Sequence, residues 1–300
     1  MSDWLKAGER GSSLLIKFMI WLCQRRHRWL VKLLLYPIAG YFFITGGAAR
    51  RASGHFFMRA TGRSHWSDYY CQLLNFSRAL VDRVIILGGD AGQFEIKSSG
   101  REVLLQAQQQ GQGLILLGSH LGSFEACKLL ASDRMNLEVH IVAWFAGSTK
   151  IRAALDAINP GMQQHFIDPT DPDAVFRMRE VIDNGGILAI LGDSTGLGEK
   201  QAPVSFLQQQ TCLPTGPYYL AAILHCPIFC FFGLRVGPYA YHTYAIKLAE
   251  RVELTRGQRQ QQAQDYAQQY ADLLADKARD YPYNWFNFYE FWDTADITKS

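Results

Sequence analysis

An α/β fold, with a mostly parallel mixed sheet flanked by helices and an apolar helical leader ahead of it, is predicted by three observations. After residue 90, short β-type runs alternate with helix-type runs, the pattern of a parallel sheet buried between helix layers. Two of those runs, residues 114–117 and 187–191, are wholly apolar, as strands covered on both faces must be. Residues 1–63 form a different composition altogether, with eleven lysines and arginines from Lys6 to Arg63 against only Asp3 and Glu9. The expected division is therefore a basic, apolar, helical membrane-associating leader at 1–63 and an α/β domain at 64–300.

The leader holds two apolar runs. The first, residues 14–23, contains Lys17 and is followed by Gln24-Arg25-Arg26-His27-Arg28, so it lacks the small-residue cleavage site of a secretory signal. The second, residues 29–46, approaches the length of a membrane span but contains Lys32 and Pro37 and has arginines on both sides. That removes the charge asymmetry that orients a span. Helices lying in the membrane interface fit these runs, with a single span or an ordinary buried helical pair as alternatives.

Residues 47–87 read as helical, with aromatic and aliphatic residues from Trp66 to Val84 at near-helical spacing, and Gly88-Gly89-Asp90 ends the run. Strands are expected at 94–97, 114–117, 139–145, 164–167, 187–191, 227–236 and 241–248, and residues 203–206 are extended. Helices are expected at 101–110, from Phe124, at 149–158, 171–183, 214–224 and 259–279. The helix at 171–183 is stopped by Gly185-Gly186, and the one at 214–224 starts on a proline. The glutamine tracts near 109, 209 and 261 read as solvated surface, and the chain ends in an aromatic cluster at 285–292.

Composition narrows the chemistry. The net charge of +3 excludes a generally basic nucleic-acid binder, while 48% hydrophobic residues support a packed core. The six cysteines, at 23, 71, 127, 212, 226 and 230, form no C-x-x-C pair and read as small reduced core residues. No cysteine or histidine spacing resembles a zinc site, and no metal is expected. His140, His165, His225 and His242 have no patterned partner and read as structural.

Ligands of parallel sheets gather at the carboxyl ends of the strands, and two loops stand there. One runs from Ser119 to Glu125, the other from Gly192 to Gly198. In the first, His120 and Glu125 cannot share a face of one helix, but a strand-to-helix turn through Gly118 and Gly122 can bring them together. Eight histidines and 27 acidic residues give roughly 0.7 H-x-x-x-x-[D/E] matches by chance, so the pattern gains meaning only from its strand–turn–helix context. In that context His120 is the candidate general base and Glu125 its orienting carboxylate. Asp193 is either a polar wall of the cleft or a turn aspartate. Arg152 follows the third strand and Arg235 ends the strand at 227–236, and either could meet a phosphate or carboxylate, or be an ordinary surface arginine. With Ser119 and Gly122 they complete the candidate substrate-binding set. Ser194 lies in a formal G-x-S-x-G, yet no aspartate precedes a later histidine, so the order of a hydrolase triad is missing.

The residues from His120 to Glu125, following an apolar strand, resemble the first block of the lysophospholipid acyltransferase superfamily, in particular its lipid A lauroyl/myristoyl transferase branch. The likeness continues at Gly192-Asp193, in P-V-S-F-L from Pro203, in P-T-G-P-Y-Y-L-A from Pro214 and in C-P-I-F from Cys226. It covers about residue 100 to the C-terminus. It implies an acyltransferase that takes a fatty acyl group from an acyl carrier protein or coenzyme A thioester, with no cofactor, at the cytoplasmic face of a bacterial inner membrane, peripheral or single-span. The acceptor would be a hydroxyl of a membrane lipid or glycolipid. In the tail, Tyr289, Glu290 and Phe291 stand where lipid A enzymes carry a basic triplet, which implies a divergent branch with another acceptor. The alternatives are a thioesterase or serine hydrolase using Ser194, and a non-catalytic lipid-binding protein of the same fold.

Overall fold

The computed structural model describes residues 21–22, 28–124, 126, 138–143, 165–194 and 200–292. A seven-stranded sheet forms the centre, built from β1 (Glu95–Ser99), β2 (Leu114–Gly118), β3 (Val139–Val142), β4 (Phe166–Ile167), β5 (Ile187–Leu191), β8 (Ile228–Gly237) and β9 (Ala240–Ala249). Its order is β1-β9-β8-β2-β5-β3-β4. All pairings are parallel except β8 with β9, so the sheet is mixed and mostly parallel.

β2 shows why an unbroken apolar run forms a strand here. Ile115 and Leu117 point into the larger core beneath one face, and Leu114 and Leu116 into the core of the other. All four are essentially inaccessible to water. Each contributes about 1.5–3 kcal/mol relative to exposure. Helices α6 (Gly216–Leu224) and α7 (Arg259–Asp280) cover the first face, with α5 (Ala174–Asp183). Helices α3 (Trp66–Leu87) and α4 (Arg101–Gln109) supply Ile85, Ile86, Leu104 and Ala107 to the second.

The helix expected over 47–87 is two helices. α2 (Gly47–Thr61) ends at Gly62, whose φ of 75° is the left-handed conformation that closes a helix. α3 then starts afresh, with the Asp68 carboxylate accepting from the His65 backbone N–H at 2.8 Å. The glutamine tract near 209 is exposed, as expected, and it also has regular structure. It opens β7 (Gln209–Pro214), which pairs antiparallel with β6 (Gln201–Phe206) in a separate two-stranded hairpin. Of the expected helices, 149–158 and most of that beginning at Phe124 lie outside the described residues.

Ahead of these, α1 (Arg28–Thr45) buries Val31, Leu35 and Ala39, one residue per turn, and exposes Trp29, Leu33, Tyr36 and Ile44 on its other side. Among the described residues no single helix is long and apolar enough to cross a membrane. The pair Trp29–Thr45 and Gly47–Thr61 qualifies together by length and composition, bent by 93°. α2 sends Phe56 and Phe57 into the main core. Buried Cys226 and Cys230 fit the expectation of core thiols, their pKa values pushed up to about 12 by burial, whereas Cys71 is exposed on α3 beside a surface groove.

Candidate functional site

β2 and β5 are neighbours in register, and the ladder continues past their ends, with Gly192 N–H donating to Gly118 O at 3.0 Å. The two loops that leave these strands are thereby side by side. His120 and Asp193, 73 residues apart, meet at two points: the His120 backbone N–H donates to Asp193 Oδ2 at 2.7 Å, and Nδ1 lies 3.0 Å from Oδ1. The carboxylate can only accept, so the neutral ring must carry its proton on Nδ1 and leave Nε2 with a free lone pair.

The Asp193 side chain is fully buried, while the His120 ring is 37% exposed. Burial opposes protonation of His120, but the charge and hydrogen bond of Asp193 outweigh it, and the imidazole pKa is raised. Two phenols border the carboxylate. Tyr270 of α7 donates its hydroxyl to Gly118 O at 2.7 Å, and burial first, then the Asp193 charge, raises its pKa well above the ordinary value. Burial and the same charge raise Tyr289. Both remain neutral at physiological pH, which leaves the His120 ring as the titrating neighbour of Asp193 among the described residues.

The loop itself is held by backbone geometry. Gly122 has φ +87°, and a Cβ there would lie 2.3 Å from Gly233 O, so only glycine lets the loop cross β8 this closely. Ser123 N–H donates to that same oxygen at 2.8 Å. From the outside, the segment after α7 straps the loop: Gly122 N–H donates to Asn284 O, Phe286 N–H donates to His120 O, and Leu121 bridges Trp285 antiparallel. Trp285 is anchored in turn by stacking on Phe56 and Phe206 and by Gln72, whose side-chain amide donates to its carbonyl.

The other sequence candidates fall in different places. Glu125 and Arg152 lie outside the described residues. Ser119 is buried and its Oγ accepts from Leu121 N–H at 3.2 Å, a turn-stabilising contact. Gly122 serves the close crossing just described. Ser194 follows Asp193 directly and is half-buried. Arg235 is not brought to His120. It pairs with Asp82 of α3 at 2.8 Å, both side chains nearly buried, and Asn284 grips its backbone through both amide atoms. This pair lines a separate groove of about 780 Å³ between α1, α3 and the β8–β9 hairpin. The strap and Tyr270 were not among the residues the sequence singled out. The aromatic cluster at 285–292 and the apolar stripe of α7 signalled burial, with no sign of what either would touch.

An imidazole fixed in one tautomer at the carboxyl ends of parallel strands, with an exposed outer edge, is equipped to take a proton from an alcohol or from water. That defines an α/β transferase or hydrolase class. Residues 76–294 match the bacterial lipid A biosynthesis acyltransferase family, and the chain belongs to it. It is accordingly an enzyme that transfers acyl groups, acting on a lipid. No curated protein matches the chain.

Proposed function

We propose that this enzyme moves a fatty acyl group from an acyl carrier protein or coenzyme A thioester to a hydroxyl of a membrane lipid or glycolipid, with His120 as general base. The observation that carries this reading is the two-point clamp of Asp193 on His120. Nε2 takes the acceptor's hydroxyl proton as its oxygen attacks the thioester carbon, and Asp193 stabilises the imidazolium. As the C–S bond breaks, the imidazolium returns the proton to the thiolate. Asp193 acts as a positioning residue, Glu125 of the His120 loop is retained as a candidate orienting carboxylate, and no cofactor is needed. Arg152 is retained as a candidate contact to the donor.

The acceptor is one other than lipid A. Where lipid A enzymes carry a basic triplet, Phe291 packs in the core, Tyr289 borders Asp193 and Glu290 pairs with His55 at 2.8 Å. Incubating the protein with a long-chain acyl thioester, with and without a membrane lipid extract, should give acylated lipid only in the first case. H120A should lower that rate by roughly 10²–10⁴-fold. Equal release of free fatty acid in both would reject transfer, and loss confined to S194A would make the enzyme a hydrolase.

Residues 1–63 serve as a membrane-associating leader on the cytoplasmic face of the inner membrane. The support is the exposed apolar face of α1, with exposed Arg50 and Arg51 at the start of α2. Sedimentation with anionic phospholipid vesicles should capture the protein, and replacing Trp29, Leu33 and Ile44 together by serine should weaken capture more than tenfold, because burying each is worth about 1.5–3 kcal/mol. Equal capture of both proteins would refute this attachment.

A further inference from the structure

We propose that Glu138, His140 and His165 form a binding site for a first-row divalent transition metal such as zinc. β3 and β4 run parallel, with Ile141 opposite Phe166. The residue before each is a histidine, and the two imidazole rings approach to 5.2 Å between centroids. Glu138, just ahead of β3, extends its carboxylate to His140 Nε2 at 2.8 Å. The candidate ligand atoms of all three residues lie within 4.8 Å of one another.

Two imidazoles and one carboxylate make a donor set for zinc, copper, nickel or iron, whereas calcium and magnesium take oxygen ligands. Bonds of about 2.0–2.2 Å in tetrahedral geometry separate ligand atoms by about 3.3 Å. The contact at 2.8 Å must therefore open slightly and the wider ones close. The Glu138 side chain, 62% exposed, is free to swing, and both rings keep some contact with solvent, so an ion and a water at the fourth position have access.

The cluster stands away from His120. His140 is paired with Leu188, near the amino end of β5, while Asp193 follows that strand's carboxyl end. The separation along the sheet is roughly 16 Å, from five residues at the rise of a strand. A metal there cannot polarise a substrate at His120. Its effect would be to fasten β4, the two-residue edge strand, to the rest of the sheet.

The test uses the full chain, stripped with a chelator and titrated with Zn²⁺ against a chromophoric competitor near pH 7.5. One equivalent should bind with micromolar affinity or better, and the unfolding temperature should rise with it. Removing both rings in H140A/H165A should weaken binding by at least about tenfold, the scale already seen when only a ligand's supporting partner is lost. E138Q changes a largely exposed side chain, so it carries the test even if the histidine variant fails to fold, and it should also weaken binding. Affinity should fall as the pH is lowered, because only the neutral ring ligates. No bound equivalent, or one held equally by the wild type and E138Q, would overturn the proposal.

Discussion

Asp193→Asn should lower acyl transfer by roughly 10²–10⁴-fold and leave the fold intact. The amide is nearly the same size, but its nitrogen can only donate. Turned toward Nδ1 it selects the opposite tautomer, with the proton on Nε2 and no lone pair for the acceptor hydroxyl. The pH profile separates this from a structural effect. His120 must be neutral to act as a base, and Asp193 raises its pKa, so the wild-type rate climbs only as pH passes that raised value. In the variant the acid limb should move to lower pH while the plateau falls. Stability changes in the same sense. A raised folded pKa stabilises the fold fully below the ordinary imidazole value of about 6.5, and this contribution is lost as pH rises through the folded value. The gap in unfolding midpoint between wild type and variant should therefore narrow as pH increases through that window. An unchanged rate with an unmoved acid limb would exclude Asp193 from this role.

Trp285→Ala should cost about 3–5 kcal/mol of stability, the range for removing a large aromatic from a packed core. Its ring lies among Phe56, Phe206 and Phe291, with centroids 5.1–5.5 Å away, and is almost wholly buried. The same residue bridges Leu121, and its neighbour Phe286 holds the His120 carbonyl, so transfer activity should drop at temperatures where the variant is still folded. Urea unfolding and an activity assay on one preparation read both effects. Trp285→Phe should recover much of each, since it keeps the stacking. A midpoint for Trp285→Ala equal to that of the wild type would contradict the anchoring role.

The strands nearest the site were legible because burial on both faces leaves no room for polar residues, which makes 114–117, 187–191 and 227–236 conspicuous. Periodicity likewise marked α7 and most of α3. The contacts were not legible, because they depend on pairings far apart in the chain. Asp193 is 73 residues from His120, and Arg235 is 153 from the Asp82 that occupies it. Asp82 is one of several polar residues on α3, with nothing in the pattern to pair it with Arg235, so Arg235 looked available to a ligand. The β6–β7 hairpin was obscured for a local reason. Its turn puts Leu207 and Gln208 at φ 49° and 66°, and neither residue type advertises a left-handed turn. His140 and His165 read as structural, and Glu138 was not joined to them, because parallel strands align residues that no short sequence spacing connects.

The strap across the His120 loop also fixes when the site can come into being. Gly122, Leu121 and His120 are all tied to residues 284–286. During synthesis the loop that carries His120 leaves the ribosome long before these outer restraints do. Until the aromatic segment arrives, Asp193 and Gly233 are the loop's available partners, and the outer restraints on Gly122, Leu121 and the His120 carbonyl are missing. The outer clasp is thus completed only near the end of the chain, and a nascent chain stalled before Asn284 would hold the loop without it.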